Sequence, residues 1–142
     1  MIREAILEDL ESVLQLEQTF GAEAFTRRSL RHFIENGSTL VMEVNDDIIG
    51  YAIVTDRRGS KIARLYSITI AETHRGRGYS KQLLSAAENM ARKWGMTELR
   101  LEVAESNEVA KGLYNRAGYQ QFSRIDDYYA SGEACLRLNY QL

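Results

Sequence analysis

The sequence predicts a mixed α/β fold: a mostly antiparallel central sheet with one parallel pair, flanked by about four helices. Three observations carry that prediction. β-Rich runs recur at residues 39–44, 48–55 and 62–70 with only short polar turns between them, so three consecutive strands are expected to pair antiparallel. A helical stripe follows, Leu83, Leu84, Ala87, Met90, Ala91 and Trp94, and it stops at Gly95. The next β-rich run, 97–104, comes after a helix too long for a hairpin, so it should return parallel to the strand before it.

The remaining elements follow from local signals. Residues 2–5 read as a short strand, after which Glu8 and Asp9 place acids on the first turn of a helix carrying Leu10, Val13 and Leu14, with Phe20 near its end before Gly21. Thr26 can cap a second helix, with Leu30, Phe33 and Ile34 as its stripe and Asn36-Gly37 as its stop. Arg27, Arg28 and Arg31 on that helix read as a solvated face. Asn45-Asp46-Asp47 and Arg57-Arg58-Gly59-Ser60 are the turns between the three strands.

Strand 97–104 alternates, so Leu99, Leu101 and Val103 face one way while Arg100 and Glu102 face the other. Asn107 stands at a cap position before Val109, Ala110, Leu113, Tyr114 and Ala117, a stripe that ends at Gly118. Runs 119–124 and 134–140 close the chain, and Cys135 points away from the face of Leu136 and Leu138 with no base beside it. The topological change falls at Ile70 and at Leu99 to Val103, and ligands of open α/β sheets gather at such a place.

At 142 residues the chain fits one domain, 1–142. With 44% hydrophobic and 27% charged residues and a formal net charge of -2, it reads as a soluble protein without the basic excess of a nucleic-acid binder. No apolar run is long enough to span a membrane, and the start, Met1-Ile2-Arg3-Glu4, has no signal-peptide core. A lone cysteine points to a reducing cytoplasm, and two unpatterned histidines do not argue for a metal.

The segment Arg75-Gly76-Arg77-Gly78-Tyr79-Ser80, between a strand and a long helix, makes an anion site. Free N–H groups of the first helical turn, the positive end of the macrodipole and the guanidinium forks all favour a phosphate or pyrophosphate there. The P-loop order is absent because Lys81 follows Ser80, and the dinucleotide fingerprint would need a glycine at Lys81. A plain glycine-rich connector is the alternative.

Arg75-x-x-Gly78-x-Ser80 resembles the pyrophosphate loop of the GNAT superfamily of acyl-CoA-dependent N-acetyltransferases, with Ser80 where Gly or Ala is usual. Leu101-Glu102-Val103, Asn107, Leu113-Tyr114 and Ala117-Gly118-Tyr119 are similar to the corresponding run of the ribosomal-protein alanine N-acetyltransferase branch. Leu65-Tyr66-Ser67-Ile68, Tyr128-Tyr129 and the stretch from Ala24-Phe25-Thr26 to Phe33 match that branch in order and spacing. The chain departs from it in having no proline, and in Asp126-Asp127 ahead of the tyrosine pair.

The resemblance implies the GNAT fold, acetyl-CoA as co-substrate without a metal, and transfer of an acetyl group to a primary amine, here the α-amine of a protein N-terminus. It also implies site roles. Backbone groups of Ile68, Thr69 and Ile70 would bond the pantetheine arm, Arg75, Gly76, Arg77, Gly78, Tyr79 and Ser80 would hold the pyrophosphate, and Asn107 would touch the cofactor. Glu102 would be the general base through water, Tyr114 would protonate the leaving thiolate, and Phe25, Tyr128 and Tyr129 would touch the substrate. Such an enzyme would work in the cytoplasm as a monomer or homodimer.

Bland alternatives stand beside these roles. Glu102 could be a strand residue paired with Arg100 or a neighbouring strand's arginine, Tyr114 a core aromatic, and Tyr128 and Tyr129 a cover for the sheet edge. A lysine or small-molecule amine as acceptor, or a non-catalytic acyl-CoA-binding regulatory module, are the competing functions. Chemistry separates the acceptors: a lysine near ~10.4 is about 2.5 units harder to deprotonate than an α-amine near ~7.9, roughly 3.4 kcal/mol. A single carboxylate acting through water therefore suits the α-amine better.

Overall fold

The computed structural model describes residues 1–18 and 25–142. Thr19 to Ala24, which include the helix end expected at Phe20 and Gly21, lie outside the described residues. Among the described residues seven strands are β1 (Ile2–Glu4), β2 (Thr39–Val44), β3 (Asp47–Asp56), β4 (Ile62–Ile70), β5 (Glu98–Ala104), β6 (Gln120–Ile125) and β7 (Cys135–Gln141). Among the described residues four helices are α1 (Leu10–Glu17), α2 (Arg27–Glu35), α3 (Tyr79–Lys93) and α4 (Glu108–Arg116), with short 3-10 turns at Leu7–Asp9 and Glu72–His74. The strands form one mixed sheet in the order β1-β2-β3-β4-β5-β7-β6. No helix among the described residues is long and apolar enough to cross a membrane.

The chain divides into two compact units, Met1–Val54 with Ser67–Ala87, and Thr55–Tyr66 with Glu88–Leu142. In the first, Leu10, Val13, Leu30, Ile34, Val41, Tyr51 and Ile53 make one buried cluster, the stripes of α1 and α2 packing with alternate residues of β2 and β3. Local chemistry sets the ends of these elements. Thr26 accepts from the Ser29 N–H at 3.1 Å as the N-cap of α2, and Gly37 leaves the helix at φ +79°. Asn45 and Asp46 both have positive φ, the pairing a tight hairpin between β2 and β3 requires.

Asp9 starts the first unit's helical hairpin. It accepts two bonds from Arg3, at 2.8 and 3.0 Å, and one from the Ile6 N–H at 2.9 Å. The Arg3 guanidinium, and then that backbone bond, hold its carboxyl below the usual carboxylate range. Arg27 pairs with Glu11 and Arg31 with Glu35, all exposed, which is the solvated face expected of α2.

In the second unit β5 runs parallel to β4 over Ile62↔Glu98 to Leu65↔Leu101, and antiparallel to β7 over its whole length. Leu99, Leu101 and Val103 are buried while Glu98, Arg100 and Glu102 alternate with them at partial exposure. The parallel ladder ends at Leu65↔Leu101, short of Ile70, where the topological change was expected. Asn107 caps α4 through the Ala110 N–H at 3.1 Å. Val109 corrects the expected stripe: it is 86% exposed, because the second residue of a nine-residue helix falls on the outer side of the turn that buries Tyr114.

Candidate active site

The expected phosphate loop has the conformation an anion cradle needs. Gly76 and Gly78 both sit at φ +79°, and a Cβ built on either meets no atom within 4 Å, so both glycines face open space. Left-handed backbone of this kind turns successive N–H groups toward one side. Gly78 also accepts the first helical bond of α3, from the Gln82 N–H at 3.3 Å, so the free N–H groups of a fifteen-residue helix begin there. Arg75 anchors the loop: its Nε donates to the Ile70 carbonyl at 3.2 Å.

The end of β4 leads into this loop, and its peptide groups alternate in direction. Thr69 turns its carbonyl to Gly50 of β3, where an added Cβ would come within 2.9 Å of that oxygen and 2.6 Å of Ile70 Cδ1; only glycine permits the approach. The peptide groups of Ile68 and Ile70 therefore point to the other edge. The buried Thr69 hydroxyl has no hydrogen-bond partner among the described residues. A cleft of about 730 Å³ opens on this strand end, lined by Ser12, Leu16, Ile48, Thr69, Thr73 and Arg75 among others. These residues fit a diphosphate with a polar arm: two left-handed glycines at a helix start, two arginines and a buried hydroxyl.

Phe25 belongs to the same unit but is used for packing and anchoring. Its ring meets Phe33 edge-to-face at 5.7 Å, and its N–H donates to Glu17 at 2.9 Å. Burial raises the Glu17 carboxyl above the ordinary range, and that bond only partly offsets it.

Glu102 gathers the second unit's polar groups. Its carboxylate pairs with Arg64 of β4, accepts from the Tyr128 hydroxyl at 3.2 Å and from the Cys135 thiol at 3.6 Å, and has Arg137 of β7 at 4.0 Å. The paired-strand alternative thus has the right kind of partner, an arginine on a neighbouring strand, while Arg100 turns instead to Glu98 at 2.5 Å. Tyr128 and Tyr129 meet edge-to-face at 5.0 Å on the loop between β6 and β7, where both N–H groups bond the Glu133 carbonyl. Burial, then the bond to Glu102, raises the Tyr128 phenol.

Cys135 was expected to lack a base nearby; the register Ala104↔Cys135 and Glu102↔Arg137 brings Glu102 to it. Burial and then that carboxylate raise its thiol, so it stays protonated rather than nucleophilic.

Tyr114 is 5% exposed and lies in a separate tyrosine cluster, with Tyr119 at 5.6 Å and Tyr140 stacked on Tyr119 at 4.9 Å. Burial pushes its phenol above the usual value, so it remains an O–H donor at any working pH. Tyr119 donates to buried Glu88 at 2.8 Å and braces that cluster. The sequence reading missed Arg64, Arg137 and Glu88 as neighbours of these groups. Period-two alternation marks Arg64 and Arg137 as outward from the buried leucines, but nothing local pairs them with Glu102.

The chain is similar to known proteins over most of its length. A [ribosomal protein bS18]-alanine N-acetyltransferase of Haemophilus ducreyi is 26% identical over 133 residues, covering 91% of this chain and 88% of that one. The N-alpha-acetyltransferase 30 of Schizosaccharomyces pombe is 27% identical over 133 residues, covering 90% and 89%. The solved structure of yncA from Salmonella typhimurium, with its cofactor acetyl-CoA, superposes with a TM-score of 0.86 at 18% identity, covering 100% of this chain and 93% of that one. The sequence pattern of the acetyltransferase (GNAT) family matches residues 4–119, through strand, glycine cradle, helix and the Glu102 strand alike, and the chain belongs to that family.

Proposed function

We propose that this N-acetyltransferase takes acetyl-CoA as its acetyl donor and acetylates the α-amino group of a protein N-terminus, as a single catalytic domain. One observation carries the reading: two left-handed glycines with open space above them at the head of α3, following a strand end that keeps a buried, unpartnered hydroxyl. Arg75 to Ser80 hold the diphosphate through backbone N–H groups and guanidiniums. Ile68 offers its outward peptide groups, Ile70 its N–H, and Thr69 its hydroxyl, to the pantetheine arm, the Ile70 carbonyl being held by Arg75. Asn107 spends its side-chain oxygen on the α4 cap and keeps its amide N–H groups for the cofactor.

Acetyl-CoA supplies the activated acetyl group. Glu102 takes the proton that the substrate ammonium must lose before its nitrogen can form the amide bond, directly or through one water. As the C–S bond breaks, Tyr114 gives its proton to the departing sulfur. The buried phenol is a weaker acid than a thiol near ~8.5, so this transfer runs only together with C–S cleavage and amide formation, and the proton shed by the amine nitrogen restores the phenol. Tyr128 holds Glu102 in place by its hydrogen bond and closes one side of the acceptor's path with Tyr129.

The acceptor assignment is supported by the weaker base that suffices for an α-amine and by the relatives named above, an alanine N-acetyltransferase and an N-alpha-acetyltransferase. The test is thiol release from acetyl-CoA with matched peptides offering a free N-terminus, a lysine side chain with a blocked N-terminus, and small amines. Turnover of the free N-termini alone is the expected result. Turnover of blocked lysine peptides or small amines in their place overturns the assignment, and coenzyme binding without turnover of any amine points to a regulatory module.

A further inference from the structure

Beside Glu102 the second unit carries a cleft of about 480 Å³, the size of a site for a small ligand or a few peptide residues. Its charge is one-sided. Arg57, Arg64, Arg100 and Arg137 line it against two carboxylates, Asp56 and Glu102. Arg64 and Arg100 stand opposite each other in the parallel register, a like-charge neighbourhood that is unfavourable without counter-charge. Counter-charge inside the cleft is thin: Arg64 and Arg137 share Glu102, Arg100 is engaged by Glu98, and Arg57 makes no ion pair among the described residues.

Two guanidiniums face the oxygens of this one carboxylate, so a substrate ammonium must compete with them for a place there. An incoming carboxylate changes that, because an arginine fork binds it bidentately, whereas Arg64 and Arg137 each reach Glu102 through a single nitrogen. We propose that this cleft recognises an amine substrate that carries its own carboxylate close to the reacting nitrogen. Such a substrate is a peptide with an acidic residue in its first few positions, or an acidic amino acid. Its carboxylate draws Arg64 and Arg137 away from Glu102, and the freed lone pairs of Glu102 then take the ammonium proton. A lysine or arginine at the same substrate position meets four like charges and is rejected. The proposal rests on the acetyl-transfer reading above and narrows its acceptor.

The experiment compares peptides identical except at positions two and three, Ala-Glu-Glu, Ala-Gln-Gln and Ala-Lys-Lys, by thiol release at saturating acetyl-CoA, with free glutamate and aspartate as separate acceptors. Binding of the same three peptides to the protein saturated with coenzyme A is measured by calorimetry. The expected result is a kcat/KM for the acidic peptide at least tenfold above that for the glutamine peptide at low salt, a gap that shrinks as salt is added. Arg57→Glu should collapse that ratio at least fivefold and raise the lysine peptide relative to the acidic one, and Arg137→Gln should cut the ratio as well. Turnover of the free acidic amino acids alone supports carboxylate recognition and assigns it to a small substrate. Equal kcat/KM for the three peptides, or a preference for lysine, overturns the proposal while leaving acetyl transfer standing. If no amine is turned over, the acetyl-transfer reading falls, and the calorimetric series still decides the cleft: equal affinities overturn it.

Discussion

Gly78→Ala separates the cradle from the fold that carries it. The new methyl meets no atom within 4 Å, so the substitution leaves packing untouched. Its cost is the left-handed backbone at φ +79°, about 1–2 kcal/mol for a residue with a Cβ. A stiffer unfolded chain offsets ~0.4–1 kcal/mol of that. The net loss is on the order of 1 kcal/mol, a fall in Tm of roughly 3–4 °C for a chain of this size. Gly59→Ala is the matched control: Gly59 lies at φ +82° in the turn before β4, again with nothing within 4 Å. The two variants should melt together. They should part on coenzyme A, because a phosphate oxygen accepting from the loop N–H groups at about 2.9 Å comes closer to a methyl there than carbon and oxygen tolerate. Gly78→Ala should therefore bind coenzyme A at least tenfold more weakly, about 1.4 kcal/mol, while Gly59→Ala binds as the parent does. Calorimetric titration beside thermal melts reads both quantities. Equal affinity in the two variants refutes the cradle, and so does a melting loss at Gly78 far beyond that at Gly59, which would make the loop a structural turn.

Glu102→Gln should lower kcat by roughly 10²-fold or more, most severely below the pKa of the substrate amine where a proton must be removed; a pH–rate profile parallel to the parent's would take the base role from Glu102. Tyr119→Phe strips buried Glu88 of its 2.8 Å donor and should cost about 1–3 kcal/mol in denaturant melts; an unchanged midpoint would mean that the carboxyl has another partner. Asp9→Asn should cost about 1.5–3 kcal/mol near neutral pH. Because Arg3 lowers the folded Asp9 pKa below the unfolded value near ~3.9, this contribution is present above about pH 4 and disappears as pH falls through the folded value. The difference in stability between parent and variant should narrow as pH falls below about 4, and a difference independent of pH would show that the charge is not its source.

What the sequence made legible was whatever is decided within a few residues. Thr26, Asn45-Asp46 and Gly37 take the conformations expected of them because caps and turns depend on nothing distant. The alternation of β5 translated into burial for the same reason. Val109 shows where a stripe misleads: helical spacing gives an angle and not an orientation, and in a nine-residue helix one small apolar residue cannot outvote Tyr114 over which side faces inward.

The surroundings of Glu102 lie beyond that reach, and for a definite reason. Its partner Arg64 is 38 residues away, brought alongside by a parallel crossover whose register no local pattern encodes. Cys135 and Arg137 border it only because β7 inserts between β5 and β6, leaving β6 at the edge. Had β6 taken that place, Gln121 and Ser123 would compete for the position Arg137 holds, and the cleft would lose one of its four arginines. The type of the carboxylate is thus written in the sequence, whereas the guanidiniums that pair with it are set by strand order.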